Sequence, residues 1–256
     1  MLDRAKEADL MINLVLIKYP KHCEMFYLIG LKYYQLGELT RCIEMLETSL
    51  KINPDMKSAQ ALRLKAKEIW KLYEEGLKNY KSGHFYESYS AFFHALKADK
   101  TNSKFRQILF FNLGSANFKL DKFTAAIENF NEALRLDEAH VKSLTRRAEA
   151  HFKLKEYEDC IVDCEEAMKL EKSESVRKLL SDAKFSISVR KGQNAYKILG
   201  VDQNATKEEI RKAFHKLSLM FHSDKNPKAT AVEKKKLERK FQEAKDAYNI
   251  GMSFHS

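Results

Sequence analysis

"QILFFNLGSANFKLDKFTAAIENFNEALRLDEAH", Gln107 to His140, places Gly114 eighth, Ala126 twentieth and Ala133 twenty-seventh, with bulkier residues between them. The same spacing returns in Cys23 to Met56 (Gly30, Cys42, Ser49), Ile69 to Asn102 (Gly76, Ser88, Ala95) and Val141 to Glu174 (Ala148, Cys160, Ala167), giving four copies of a 34-residue unit. Small residues at fixed positions let two antiparallel helices approach closely, and Leu46, Phe92, Phe130 and Cys164 at the twenty-fourth position fill the space beside the contact. A recurrence at a constant interval decides the architecture before any single element is read.

The period resembles that of tetratricopeptide repeats, which implies an all-α solenoid of helical pairs with a concave surface. Composition agrees, because three prolines and eight glycines in 256 residues rich in Lys, Glu, Leu and Ala suggest helices joined by short turns. Working outward, the repeat at 23–56 is followed by a helical linker at 57–68, "KSAQALRLKAKE", with no breaker, and then by three repeats at 69–174. Pro54 sits where the second helix of the first unit should stop, and Pro20 lies one period earlier. Residues 1–22 therefore read as the second helix of a half repeat whose first helix is missing, as in a fragment or a shortened descendant of a longer chain. After the last repeat, 175–193 reads as an amphipathic capping and linker helix, with Val176, Leu179, Leu180, Ala183 and Ile187 at helical spacing.

The longest apolar stretch, Leu10 to Ile17, is broken by Asn13 and is too short to span a bilayer, so a soluble chain with no membrane contact is expected. Four cysteines without a C-x-x-C pair fit a reducing compartment, the cytoplasm first and the nucleus as a second location. Cys160 and Cys164, one helical turn apart, could be a metal or redox pair; as small residues at repeat positions they read as core, and neither metal nor cofactor is expected. No Gly-rich phosphate loop or zinc spacing suggests an enzyme. The net charge of +10 is concentrated at one end, since residues 190–256 carry 15 Lys or Arg against 8 Asp or Glu. That segment lacks the aromatic interleaving of a nucleic-acid module, so no specific nucleic-acid partner is expected.

Within that segment Thr206 and Glu209 form a T-x-x-E capping box that starts a helix at Lys207. Ile210, Phe214, Leu217 and Phe221 make its apolar face, and Arg211, His215, Ser218 and His222 a separate ridge. A second helix is expected from Val232 to Tyr248, with Leu237, Phe241, Ala244 and Tyr248 at helical spacing and Pro227 in the loop between. The pair should close as an antiparallel hairpin. The loop begins His222-Ser223-Asp224, the side-chain types of a hydrolase triad, but neighbours in one loop diverge and cannot relay a proton in series.

"AYKILGV" (Ala195 to Val201), "KEEIRKAFHKLSLMFH" (Lys207 to His222) and "FQEAKDAY" (Phe241 to Tyr248) resemble a J domain, so 194–256 reads as a J domain lacking its last helix. In that family the loop carries His-Pro-Asp, which contacts the 70 kDa heat-shock chaperone and couples docking to stimulated ATP hydrolysis. His222 and Asp224 match, and Ser223 departs. The resemblance implies a non-enzymatic co-chaperone with weakened stimulation or, alternatively, a repeat scaffold carrying an inactive hairpin. Lys207, Arg211, Lys212 and Lys216 could steer the hairpin onto an acidic chaperone surface.

Repeat relatives that bind the acidic tails of the 70 and 90 kDa chaperones use a carboxylate clamp of five residues. Transferred by repeat position, Asn112, Lys142 and Arg146 match, whereas Tyr73 and Leu77 stand where lysine and asparagine are needed. A crippled clamp is expected, because neither replacement restores the lost charge and carboxamide. Trp70, Tyr80 and Phe111 make the groove aromatic, for an apolar peptide or, by preference, as core filling.

Overall fold

The computed structural model describes residue 18, residues 22–222, residue 225 and residues 230–254. Among these it contains eleven helices and no strand: α1 (Cys23–Gln35), α2 (Leu39–Ile52), α3 (Lys57–Lys81), α4 (Phe85–Ala98), α5 (Ser103–Lys119), α6 (Phe123–Leu136), α7 (Val141–Lys153), α8 (Tyr157–Leu170), α9 (Glu174–Leu199), α10 (Lys207–Phe221) and α11 (Ala231–Ser253). The half repeat expected at 1–22 lies outside the described residues except for Lys18 and His22. The chain divides into two compact units, up to Val176 and from Arg177.

In the first unit α1–α2, α3–α4, α5–α6 and α7–α8 pair as hairpins, and each hairpin packs on the next. The contact is the one the small residues anticipate. A β-carbon on Gly76 would lie 2.5 Å from the Phe92 ring, and one on Gly114 would lie 2.5 Å from the Phe130 ring. Phe92 and Phe130 are fully buried, an arrangement worth about 1.5–3 kcal/mol for each ring. The fourth hairpin uses the complementary pair, Ala148 with the smaller Cys164, both fully buried. Cys42, Ser88, Ala126 and Cys160 at the twentieth position and Ser49, Ala95, Ala133 and Ala167 at the twenty-seventh are fully buried too. The hydroxyls in this set are satisfied locally: Ser88 donates to the Gly76 carbonyl and Ser49 to the Cys23 carbonyl, each at 2.8 Å.

The turn inside every hairpin takes a left-handed residue at the fifteenth position: Gly37 (φ 79°), Gly83 (φ 81°), Asp121 (φ 56°) and Lys155 (φ 62°). Glycine adopts this conformation without steric cost, whereas aspartate and lysine do so against a β-carbon clash.

The segment 57–68 is continuous with the first helix of the second repeat, so α3 runs 25 residues. Its N-terminal half buries Ala59 and Ala66, and Lys65 reaches a polar knot that ties the first repeat to the α4–α5 loop. There the buried Asp99 carboxylate accepts hydrogen bonds from Tyr34 (2.5 Å), Lys65 (3.2 Å) and the amide (2.9 Å) and hydroxyl (2.8 Å) of Thr101. Asn102 donates to the Tyr34 carbonyl and caps α5 through Phe105 N. Burial alone would raise the Asp99 pKa, but these donors outweigh it and hold the group at about 2.

In the second unit α9 continues without a break through residues 193–194 to Leu199, and Gly200 (φ 69°) ends it in the left-handed C-terminal conformation. Ala195, Tyr196 and Leu199 pack with Ala205, Ile210 and Ala247 in a small core. Phe214 stacks on Tyr248 at 4.6 Å between ring centroids, joining α10 to α11. Both helices open with complete capping boxes, Thr206 with Glu209 and Thr230 with Glu233. The helix expected to stop at Tyr248 runs on to Ser253, because Ala247 and Gly251 continue the buried stripe begun by Ala244.

Candidate functional site

Two places carry the residues singled out from the sequence. The first is α10 and the loop beyond it. Thr206 fixes the start of the helix, with Glu209 accepting its backbone amide at 2.7 Å, and Ile210 anchors the inner face in the core. Around the solvent-facing part of the helix stand Lys207, Arg211, Lys212 and Lys216, all exposed and none with an ion pair among the described residues. Glu209 is committed to Thr206, whose hydrogen bonds, with Lys212 adding to them, hold its carboxyl below the usual range.

His222 caps the far end of α10, donating its backbone amide to the Ser218 carbonyl at 3.0 Å. Its exposed ring stands edge-on to Phe241 at 6.1 Å. His215, Ser218, Leu219, His222 and Lys225 line an open cleft of about 460 Å³, in which the Ser218 hydroxyl is buried without a hydrogen-bond partner among the described residues. Ser223 and Asp224 lie outside the described residues. What the structure brings together is a cationic helix ending in an exposed imidazole, an arrangement suited to docking rather than to covalent chemistry.

The second place is the helical face formed by α3, α5 and α7. Tyr73 and Asn112 meet: burial pushes the Tyr73 phenol up, and a hydrogen bond with the Asn112 side chain pulls the other way. Asn112 also donates to the Ile108 carbonyl at 2.9 Å. Leu77 packs against the core. On α7, Lys142 is exposed, whereas Arg146 is paired with Glu149 at 2.7 Å. Tyr80 sits within the field of that pair, its phenol pushed up by burial, lowered by Arg146 and raised again by Glu149. Of the remaining clamp residues, Asn112 and Arg146 thus have partners of their own. Glu149, three positions after Arg146, stands at a helical ion-pair spacing that the sequence also shows.

The aromatic residues of this face are largely engaged with one another, Trp70 with Tyr73 (5.5 Å), Tyr73 with Phe105 (5.2 Å), Tyr80 with Phe85 (5.3 Å) and Phe111 with His140 (5.3 Å). Cys160 and Cys164 are free thiols in the core, where the hydrogen bond with Cys164 and burial keep Cys160 protonated. His151, Glu156 and Asp159 lie close enough together to hold an ion, but His151 Nδ1 already bonds Glu156 at 2.7 Å and both acids are exposed. No described helix is long and apolar enough to cross a membrane.

Comparison with known proteins places a DnaJ domain at residues 194–250 and tetratricopeptide repeats at 24–56 and 109–140. The chain is 32% identical to DnaJ homolog subfamily C member 7 of Homo sapiens over 250 residues, which are 98% of this chain and 51% of that protein. It is 31% identical to DnaJ homolog subfamily C member 3 of Rattus norvegicus over 219 residues, 85% of this chain and 43% of the relative. The chain thus spans about half the length, or less, of these curated relatives. Among solved structures, the TPR domain of P58(IPK) superposes with a TM-score of 0.61 at 25% identity, covering 66% of this chain and 47% of that one.

Proposed function

The chain carries tetratricopeptide repeats and a DnaJ domain, and from that premise we propose that it is a co-chaperone adaptor whose hairpin docks on the 70 kDa heat-shock chaperone and stimulates its ATP hydrolysis. The observation that carries this reading is the cationic surface of α10, where four exposed cations without ion-pair partners among the described residues surround the helix that ends at the exposed ring of His222. Such a surface raises the encounter rate with an acidic partner and sets its orientation. Ser223 replaces the residue that would stiffen the loop, a loss of about 0.4–1 kcal/mol in preorganisation. Stimulation is therefore weakened rather than lost. The four cysteines, all free, support a reducing compartment and so the cytoplasm.

The repeat face serves in this reading as an adaptor surface with poor affinity for acidic chaperone tails, since Tyr73 and Leu77 supply no cation and Arg146 is already paired. Calorimetry with an acidic tail peptide should detect no micromolar binding; micromolar binding abolished by Arg146→Ala would contradict the weak clamp.

A single-turnover ATPase assay with a cytosolic 70 kDa chaperone tests the main proposal. A rate above basal that increases further in Ser223→Pro is expected. A second reading, a repeat scaffold with an inactive hairpin, rests on Ser223 itself, and it gains if neither the native chain nor Ser223→Pro raises the rate.

A further inference from the structure

A groove of about 420 Å³ lies on the flank of the second and third repeats, between α4 and the α5–α6 corner. Tyr86, Tyr89 and Phe93 follow one another along one face of α4, the rings of Tyr89 and Phe93 nearly parallel at 11° and 6.1 Å apart. Tyr86 is 67% exposed, an unusual cost for a ring on the outer face of a repeat helix. A cation stands over each end of the row: Lys122 Nζ is 5.9 Å from the centre of the Tyr86 ring and Lys97 Nζ is 4.5 Å from that of Phe93. Neither ammonium has an ion pair among the described residues. Asn117 lines the same groove while only 5% exposed. Its carboxamide carries both donors and an acceptor.

We propose that this groove binds an extended, proline-containing segment of a partner protein, flanked on each side by an acidic residue. Proline-rich segments hold a preformed left-handed helix that docks on aromatic rows, and their prolines offer backbone carbonyls without N–H groups. The groove meets them with donors, the Asn117 amide and the phenols of Tyr86 and Tyr89. The seven residue steps of α4 from Tyr86 to Phe93 span about 10 Å, the length of about one three-residue turn of such a ligand. The two ammoniums then fall beside the residues that flank that turn, where carboxylates would complete the charge match. Single-stranded nucleic acid suits the groove less well, because two ammoniums set at the ends of the row do not track a continuous phosphate backbone.

The test is a calorimetric titration of the whole chain with a synthetic peptide bearing two prolines three residues apart between terminal glutamates. Saturable binding is expected, weakened at least about tenfold by Tyr86→Ala, by Lys122→Glu or by replacing the peptide's prolines with alanine. Thermal melts of both variants matching the native chain would establish that the fold is intact. Absence of saturable binding, equal affinity for the alanine peptide, or unchanged affinity in both variants would overturn the proposal. So would displacement of the peptide by a single-stranded oligonucleotide that binds more tightly, or self-association of the chain that Tyr86→Ala abolishes.

Discussion

The cations of the repeat unit and those of α10 are used in opposite ways. In the repeats Lys65 reaches buried Asp99 at 3.2 Å, Arg147 forks onto buried Asp163 at 2.6 and 2.8 Å, and Arg146 meets Glu149 at 2.7 Å. On α10 Lys207, Arg211, Lys212 and Lys216 have no such partners among the described residues. Through Lys65 and Arg147 the repeats turn part of their charge inward to join helices, and the hairpin helix turns its charge outward. Substitutions at the inward set should therefore be read in stability, and substitutions at the outward set in association.

The largest effect should come from Asp99→Ala, which leaves the Tyr34 hydroxyl and the Lys65 ammonium without their acceptor. Urea unfolding is expected to show a loss of about 2–4 kcal/mol, and a loss below that found for an exposed aspartate would break the contrast. The pH dependence has a definite sign. Because the folded-state pKa is about 2, below the ordinary carboxylate value of 3.8, ionised Asp99 stabilises the fold fully above that ordinary value and loses its contribution as pH falls toward 2. In Asp99→Asn this part of the acid-unfolding limb should be absent.

A smaller loss, about 1–3 kcal/mol, is expected for Gly114→Ala, whose added methyl meets the Phe130 ring. Phe130→Leu in the same chain should recover part of it, as the Ala148–Cys164 pair already accommodates a methyl at the equivalent place. Lys155→Gly should move in the other direction and stabilise by about 1 kcal/mol, since it removes a left-handed strained residue from a turn. Smallest of all, Lys216→Glu on the outward set should change unfolding free energy by less than about 0.5 kcal/mol. A larger change would mean that α10 also uses its charge to hold the fold.

Much of the repeat architecture was legible because its determinants are short-range and recurrent. Gly76 opposite Phe92 and Gly114 opposite Phe130 repeat one solution, and recurrence exposes a rule that a single instance would hide. The Thr206–Glu209 box was equally readable, being a local exchange of hydrogen bonds. Residues that act across long sequence separation were not. Asp99 finds Tyr34 from 65 positions away, and nothing in either neighbourhood announces the pairing. The left-handed fifteenth position escaped notice because two of its occupants, Asp121 and Lys155, are not glycine. On the candidate site, sequence located the cations of α10 and the altered clamp; the i, i+3 spacing of Arg146 and Glu149 is legible too, but that the pair closes and takes Arg146 out of the clamp shows only in the folded helix. The groove beside Tyr86 depends on how α4 and the α5–α6 corner come together, which no local pattern encodes.

The central claim is that the outward charge of α10 serves docking. Affinity of the chain for the 70 kDa chaperone, measured by fluorescence anisotropy across a salt series, tests it most directly in the native chain and in a variant combining Arg211→Glu with Lys212→Glu. The account predicts binding that weakens steadily as salt rises and is lost in the double variant while its thermal melt stays native. Binding indifferent to salt, or as tight in the double variant as in the native chain, would contradict it.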